Sequence, residues 1–301
     1  MGVFLKSLAG LALASAFLGA IAISAFAQTT VSTGPGNSPI LKRIADRGSV
    51  AIGHREASTP FSFLNSELKV EGYSIDFCLR IVDAIKAQLG RSDLKVQYVP
   101  VNVTSRIPLV ANGTVDLECG TTTNTLQRQE QVDFSPIIYV TGAQILVPSS
   151  STIADYEGLA GKKVAMLQGS TTESRLRALS EKEDLRIEFL FVRDNAEAVL
   201  LVQSGRADGF VTDGALLKIF AATRAKPAGS LKVVGRLLTY EPYGVVMQRG
   251  DADFSLLVRK AFAEIFRSGD ADRIFEKWFG TYDIKLDDQS RAAFNLQAIP
   301  R

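Results

Sequence analysis

After Ile40 the spacing of apolar and polar positions changes repeatedly along the chain, and each change marks an element. Residues 50–53 form a short apolar run that reads as a strand. Residues 74–89 repeat apolar positions at helical spacing, and residues 95–99 read as a strand again. Ser105 suits the cap of a short helix, Pro108 its first turn and Asn112-Gly113 its end, ahead of a strand at 115–119. The second half repeats the theme, with strands at 163–167, 187–192, 209–212 and 231–234 and helices at 172–182, 196–203 and 214–223. Strands alternating with helices predict parallel sheets covered on both faces, an α/β fold. Residues 254–279 are amphipathic with Gly269 interrupting them, and their Phe and Ile residues read as core. Residues 283–301 show little pattern.

A weak internal repeat runs through this alternation. Leu109-Val110-Ala111-Asn112-Gly113-Thr114-Val115-Asp116 compares with Leu201-Val202-Gln203-Ser204-Gly205-Arg206-Ala207-Asp208. Each is a helix end, a glycine stop and a strand start, and shared grammar of helix ends would produce the same pattern. If the repeat is structural, Thr121 and Asp213 are equivalent positions. Both then lie at the carboxyl end of a strand, where open α/β sheets bind ligands.

The 301 residues, 46% of them hydrophobic and 22% charged, have room for two domains of usual size. With a formal net charge of +2, nothing suggests a nucleic-acid partner or a polybasic membrane-surface binder, and no nucleic acid is expected. Residues 1–27 carry one cation, Lys6, then an apolar stretch ending Ala25-Phe26-Ala27. This is the pattern of a signal peptide cleaved after Ala27, a retained N-terminal anchor being the alternative. The expected product is an exported, periplasmic protein. An oxidising compartment favours pairing of the two cysteines, so a Cys78–Cys119 disulfide is expected, with two buried thiols as the alternative.

Catalytic patterns are missing from the sequence. His54 is the single histidine; no nucleophile elbow, phosphate loop or dinucleotide fingerprint is present, and no metal-spaced set of ligands. Recognition is therefore the default, with no cofactor and no metal. Four groups look able to recognise a ligand. Arg55 stands in the loop 53–62 that leaves the first strand. Arg106 opens a helix, where a cation opposes the helix dipole and suits an anionic partner. Thr121 and Thr123 belong to a hydroxyl-rich turn, with Arg128 beyond it. Thr171 and Thr172 follow a second strand, and Asp213 adds a carboxylate suited to an ammonium. Cation, hydroxyl and carboxylate together fit an amino-acid zwitterion.

The segments GHREASTPFSF, SRIPLVANGTVDLECGTTTN, GSTTES and TDGALL resemble the family 3 extracellular solute-binding proteins of ABC transporters, and among them the glutamate- and aspartate-binding members. The resemblance covers about 40–282. It implies a periplasmic-binding-protein-like fold of two α/β lobes joined by two crossover hinge strands. On that pattern 1–27 is the signal peptide, 28–39 a flexible arm, 40–142 and 244–282 lobe 1, 143–243 lobe 2, and 283–301 a tail. The hinges fall near Gly142-Ala143 and Tyr243-Gly244. The resemblance also implies a monomer that captures an amino acid, acidic for preference, and hands it to a membrane permease. Arg106 and the 121–123 turn would hold the α-carboxylate, Thr171 and Thr172 would reach it from the other lobe, and Asp213 would take the α-ammonium. Arg55 would face the side-chain carboxylate, with Arg128 in support.

Two departures from the family pattern touch the side-chain end of the pocket. Asn195 stands near a histidine position, and Val103 near a serine position. An enzyme on the same scaffold, of cyclohexadienyl dehydratase type, is the alternative from another class, with Glu118 and Glu173 as candidate acid or base. A receptor sensor domain is a third reading, without a transmembrane or kinase segment to support it.

Overall fold

The computed structural model describes residues 34–300. The expected signal peptide, its cleavage point and the arm as far as residue 33 lie outside them. Pro39, assigned above to the arm, opens α1 (Pro39–Arg47), which leads into β1 (Ser49–His54). A small hairpin sheet of β2 (Ala57–Ser58), β3 (Ser62–Leu64) and β4 (Val70–Glu71) follows, then α2 (Tyr73–Leu89), β5 (Lys95–Pro100), α3 (Arg106–Ala111), β6 (Leu117–Glu118), α4 (Leu126–Gln129) and β7 (Val132–Thr141). The middle of the chain builds β8 (Ala143–Pro148), β9 (Lys163–Leu167), α5 (Thr171–Lys182), β10 (Glu188–Val192), α6 (Asn195–Gln203), β11 (Gly209–Asp213), α7 (Gly214–Thr223) and β12 (Leu231–Val234). It then returns through β13 (Glu241–Gln248) to α8 (Ala252–Arg267), α9 (Asp270–Phe279) and α10 (Asp288–Gln297).

Two five-stranded sheets result, ordered β5-β1-β6-β13-β7 and β10-β9-β11-β8-β12. Each has three parallel strands, extended by two more through antiparallel pairings. The parallel strands read as apolar runs because helices cover both faces; Val164, Ala165 and Met166 of β9 are fully buried. The fold is two α/β lobes, and the chain crosses between them twice. Gly142 alone separates β7 from β8, and the return runs from Val234 to Glu241. The crossings touch. A Cβ on Gly142 would sit 2.3 Å from the Thr239 carbonyl oxygen, so only glycine fits. Ala143 N donates to Thr239 Oγ1 at 2.9 Å.

The internal repeat is structural. Asp116 N donates to Ala51 O of β1 at 2.9 Å, and Asp116 Oδ2 accepts from Ala51 N at 2.8 Å. Asp208 makes the same pair of bonds with Lys163 of β9, both at 2.8 Å. In each sheet this aspartate latches the third strand of the series onto the first.

Local expectations differ from the structure in three places. Ser105 does not cap α3 with its side chain. Its hydroxyl accepts from Asn102 N, while Asn102 Oδ1 takes the N–H groups of Thr104 and Ser105. The strand expected at 115–119 is short, because beyond Glu118 the backbone turns out toward the cleft. The patternless tail contains α10. Asp287 caps it, Phe294 stacks on Phe266 and Gln297 bonds Ile137 of β7 on both sides. The expected disulfide is present, Cys78 of α2 joining Cys119 just past β6.

Candidate ligand-binding site

The cleft between the two sheets is lined from one lobe by Arg55, Val103, Arg106, Thr121 and Thr123. Thr171, Thr172, Asn195 and Asp213 line it from the other. All nine arise where the structure leaves a strand or enters a helix, which gathers loop ends from both sheets at one place.

Arg55 follows β1. Its backbone N donates to Ser62 Oγ at 2.9 Å, holding the hairpin loop against the strand, and its guanidinium has no hydrogen-bond partner among the described residues. Arg55 is buried, and that burial, helped by the Arg106 charge, brings its pKa down to about 10. Gly120 makes room for it. A Cβ there would lie 3.0 Å from Arg55 Cγ and 2.3 Å from Glu118 Oε1. Arg106, at the first turn of α3, donates through Nη1 to Thr121 O at 3.2 Å, and its buried Nε has no partner. Arg128 does not line the cavity; its Nη1 donates to Thr123 O at 2.8 Å from behind. Burial and the Arg106 charge hold it down to about 10 as well. Three cations crowded out of water are a standing electrostatic cost that an anion would relieve.

The 121–124 turn is pinned as a makeshift strand edge. Gly244 N donates to Thr122 O, Asn124 N to Pro242 O, and Thr123 bridges Tyr243. Ser74 Oγ of α2 donates to Gly120 O at 2.7 Å. Two of the turn's hydroxyls donate to carboxylates: Thr122 Oγ1 to Glu118 Oε2 at 2.6 Å and Thr123 Oγ1 to Glu241 Oε2. Across the cleft Thr171 Oγ1 donates to the same Glu241 oxygen at 2.8 Å. A hydroxyl has a single proton, so in this arrangement Thr122, Thr123 and Thr171 turn lone pairs toward their other neighbours. What Thr171 and Thr172 retain for an anion is the unpaired backbone N–H groups at the start of α5. The preceding turn is no free anion nest: Ser170 caps α5 and Glu173 Oε2 accepts from Gly169 N at 2.6 Å.

Asp213 ends β11. Tyr243 donates its phenolic proton to Asp213 Oδ2, while Oδ1 is buried with no partner. Burial, then the Glu241 charge, pushes its pKa up to about 7. Asn195 donates through Nδ2 to Ala57 O at 3.2 Å and Ser58 Oγ at 3.1 Å, so it spans the cleft to the small hairpin. Glu241 is the functional-site residue that sequence reasoning missed. It is 1% exposed, and its one signal was a carboxylate heading the otherwise apolar run Tyr243–Met247. Glu118 and Glu173 are both outside the cavity lining. Among the described residues no cluster is suited to a metal ion, and no helix is long and apolar enough to cross a membrane.

Residues 50–281 match the bacterial extracellular solute-binding proteins, family 3. The chain belongs to that family. An L-glutamate/L-aspartate-binding protein of Pseudomonas aeruginosa is 41% identical over 240 residues, 79% of each chain. The glutamate/aspartate import solute-binding protein of Escherichia coli strain K12 is 35% identical over 283 residues, 91% of this chain and 93% of the relative. Among solved structures, an ancestral amino-acid-binding protein described as a precursor of cyclohexadienyl dehydratase superposes with a TM-score of 0.66 at 29% identity. The match covers 79% of this chain and 98% of the ancestral protein. The family resemblance read from the four motifs is borne out, and with it the two-lobed fold.

Proposed function

We propose that this family 3 protein captures an acidic amino acid, glutamate or aspartate, in the periplasm and delivers it as a monomer to the membrane permease of an ABC transporter. The observation that carries this reading is the pairing inside one cavity of an uncommitted Arg55 guanidinium with Asp213, whose Oδ1 lacks a donor. A carboxylate beside an unpaired cation and an ammonium beside an unpaired acceptor are complementary on both counts. Arg106 and the N–H groups at the start of α5 hold the α-carboxylate, Asp213 and Thr123 take the α-ammonium, and Arg55 meets the side-chain carboxylate. Arg128 steadies the turn through the Thr123 carbonyl. The relatives' glutamate and aspartate ligands support the assignment.

The lobes close by hinging where the crossings touch, at Gly142 and Thr239, and the ligand favours closure only through contacts it makes with both sides. Calorimetry of the mature chain against L-glutamate, L-aspartate, L-glutamine and L-asparagine tests the reading. Saturable one-site binding of the acidic pair is expected; heats no larger than dilution for all four would overturn it.

A dehydratase on this scaffold is the second reading. Asp213 favours it, because a cavity carboxyl held near 7 is poised to exchange a proton at neutral pH. Conversion of a cyclohexadienyl acid by the wild-type chain, lost in Asp213→Asn, would establish that chemistry.

A further inference from the structure

We propose that Glu241 is a positioning residue that sets the polarity of the ligand site and ties the two lobes at the same point. It rests on the reading of the cleft as an amino-acid site. Glu241 is the first residue of β13, where the chain has just returned to the first sheet. Its Oε2 accepts one hydroxyl proton from Thr123 on its own side and one from Thr171 on the other. Both threonines line the cavity, whereas Glu241 stands behind them.

The chemistry follows from counting protons. A threonine hydroxyl that donates to a carboxylate turns only lone pairs to its other neighbours. Two such hydroxyls, beside Asp213 Oδ1, form a patch of acceptors with no donor among them. Such a patch suits an ammonium and repels a carboxylate. Glu241 thereby decides which end of a zwitterion lies against the threonines, and it does so without touching the ligand. The same oxygen holds Thr171 only when the lobes are together, so orientation of the ligand and closure are coupled through one atom.

The test compares L-glutamate with glutarate, which is the same dicarboxylate without the ammonium, by competition calorimetry on the mature chain. In the wild type, removal of the ammonium is expected to weaken binding by about a hundredfold, in line with the loss of hydrogen bonds to charged groups. In Glu241→Ala the freed hydroxyls can donate, so that ratio is expected to fall at least tenfold. Thr171→Val, which removes one of the two hydroxyls and leaves Glu241 in place, is expected to lower the ratio by a smaller factor and guards against a Glu241 variant that does not fold. Equal weakening of both ligands in either folded variant would show a merely structural role and overturn the inference. A wild-type chain that binds neither compound would overturn the amino-acid reading beneath it.

Discussion

Tyr243 and Asp213 belong to different sheets, and the phenol of the first donates to the carboxylate of the second. The bond uses one oxygen of Asp213 and leaves the other facing a cavity, with a pKa near 7. A ligand ammonium favours the ionised form, so the bound state keeps Asp213 charged. Affinity is therefore full above pH 7 and falls as Asp213 takes up a proton in the ligand-free protein, by about tenfold per unit at lower pH. Calorimetry at pH 6 in buffers of different ionisation enthalpy should show proton release on binding, and Asp213→Asn should abolish it.

Arg106 is buried with an unpartnered Nε. Arg106→Ala should weaken amino-acid binding by about 2–5 kcal/mol, the cost of stripping one partner from a buried charge pair. Retained micromolar binding in the variant would remove Arg106 from the α-carboxylate site.

Arg55 is the cation placed to tell acidic side chains from their amides. Arg55→Met, which keeps the apolar stem beside Gly120, should cost glutamate about 1.5–3 kcal/mol while costing glutamine less. The readout is the ratio of the two dissociation constants; an unchanged ratio would assign acidic selectivity elsewhere.

Asn195 spends its amide N–H groups on the hairpin of the opposite lobe. Asn195→Ala should lower affinity for every ligand alike, by about 1–2 kcal/mol for the bonds lost. Small-angle scattering of the saturated variant should show a larger open fraction than the wild type.

The disulfide closes a loop across 41 positions of sequence. On the chain-entropy account its removal in a Cys78→Ala, Cys119→Ala double variant should cost about 2–4 kcal/mol, read as a lower melting temperature.

Periodicity alone located most of the elements that build the two sheets, because strands buried on both faces and helices with one apolar stripe leave strong local signals. The repeat ending in Asp116 and Asp208 was legible for a related reason: each half uses the same residue type for the same latch on its first strand. Lining residues of the cleft were found through loop composition and family motifs. What stayed hidden depends on distance in sequence. Glu241 lies 118 positions from Thr123, its hydroxyl partner, so no local pattern joins them. The spending of hydroxyl protons is a property of the assembled turn, and α10 is a short helix whose apolar contacts come from β7 and α8 rather than from its own periodicity.

Cys119 immediately precedes Gly120 and the turn that presents Thr121 and Thr123 to the cavity. Its covalent anchor on α2 fixes the entry to that turn from the side opposite β13. A reduced chain would lack this anchor at the entry to the turn, so the disulfide ties α2 to the segment that presents Thr121 and Thr123.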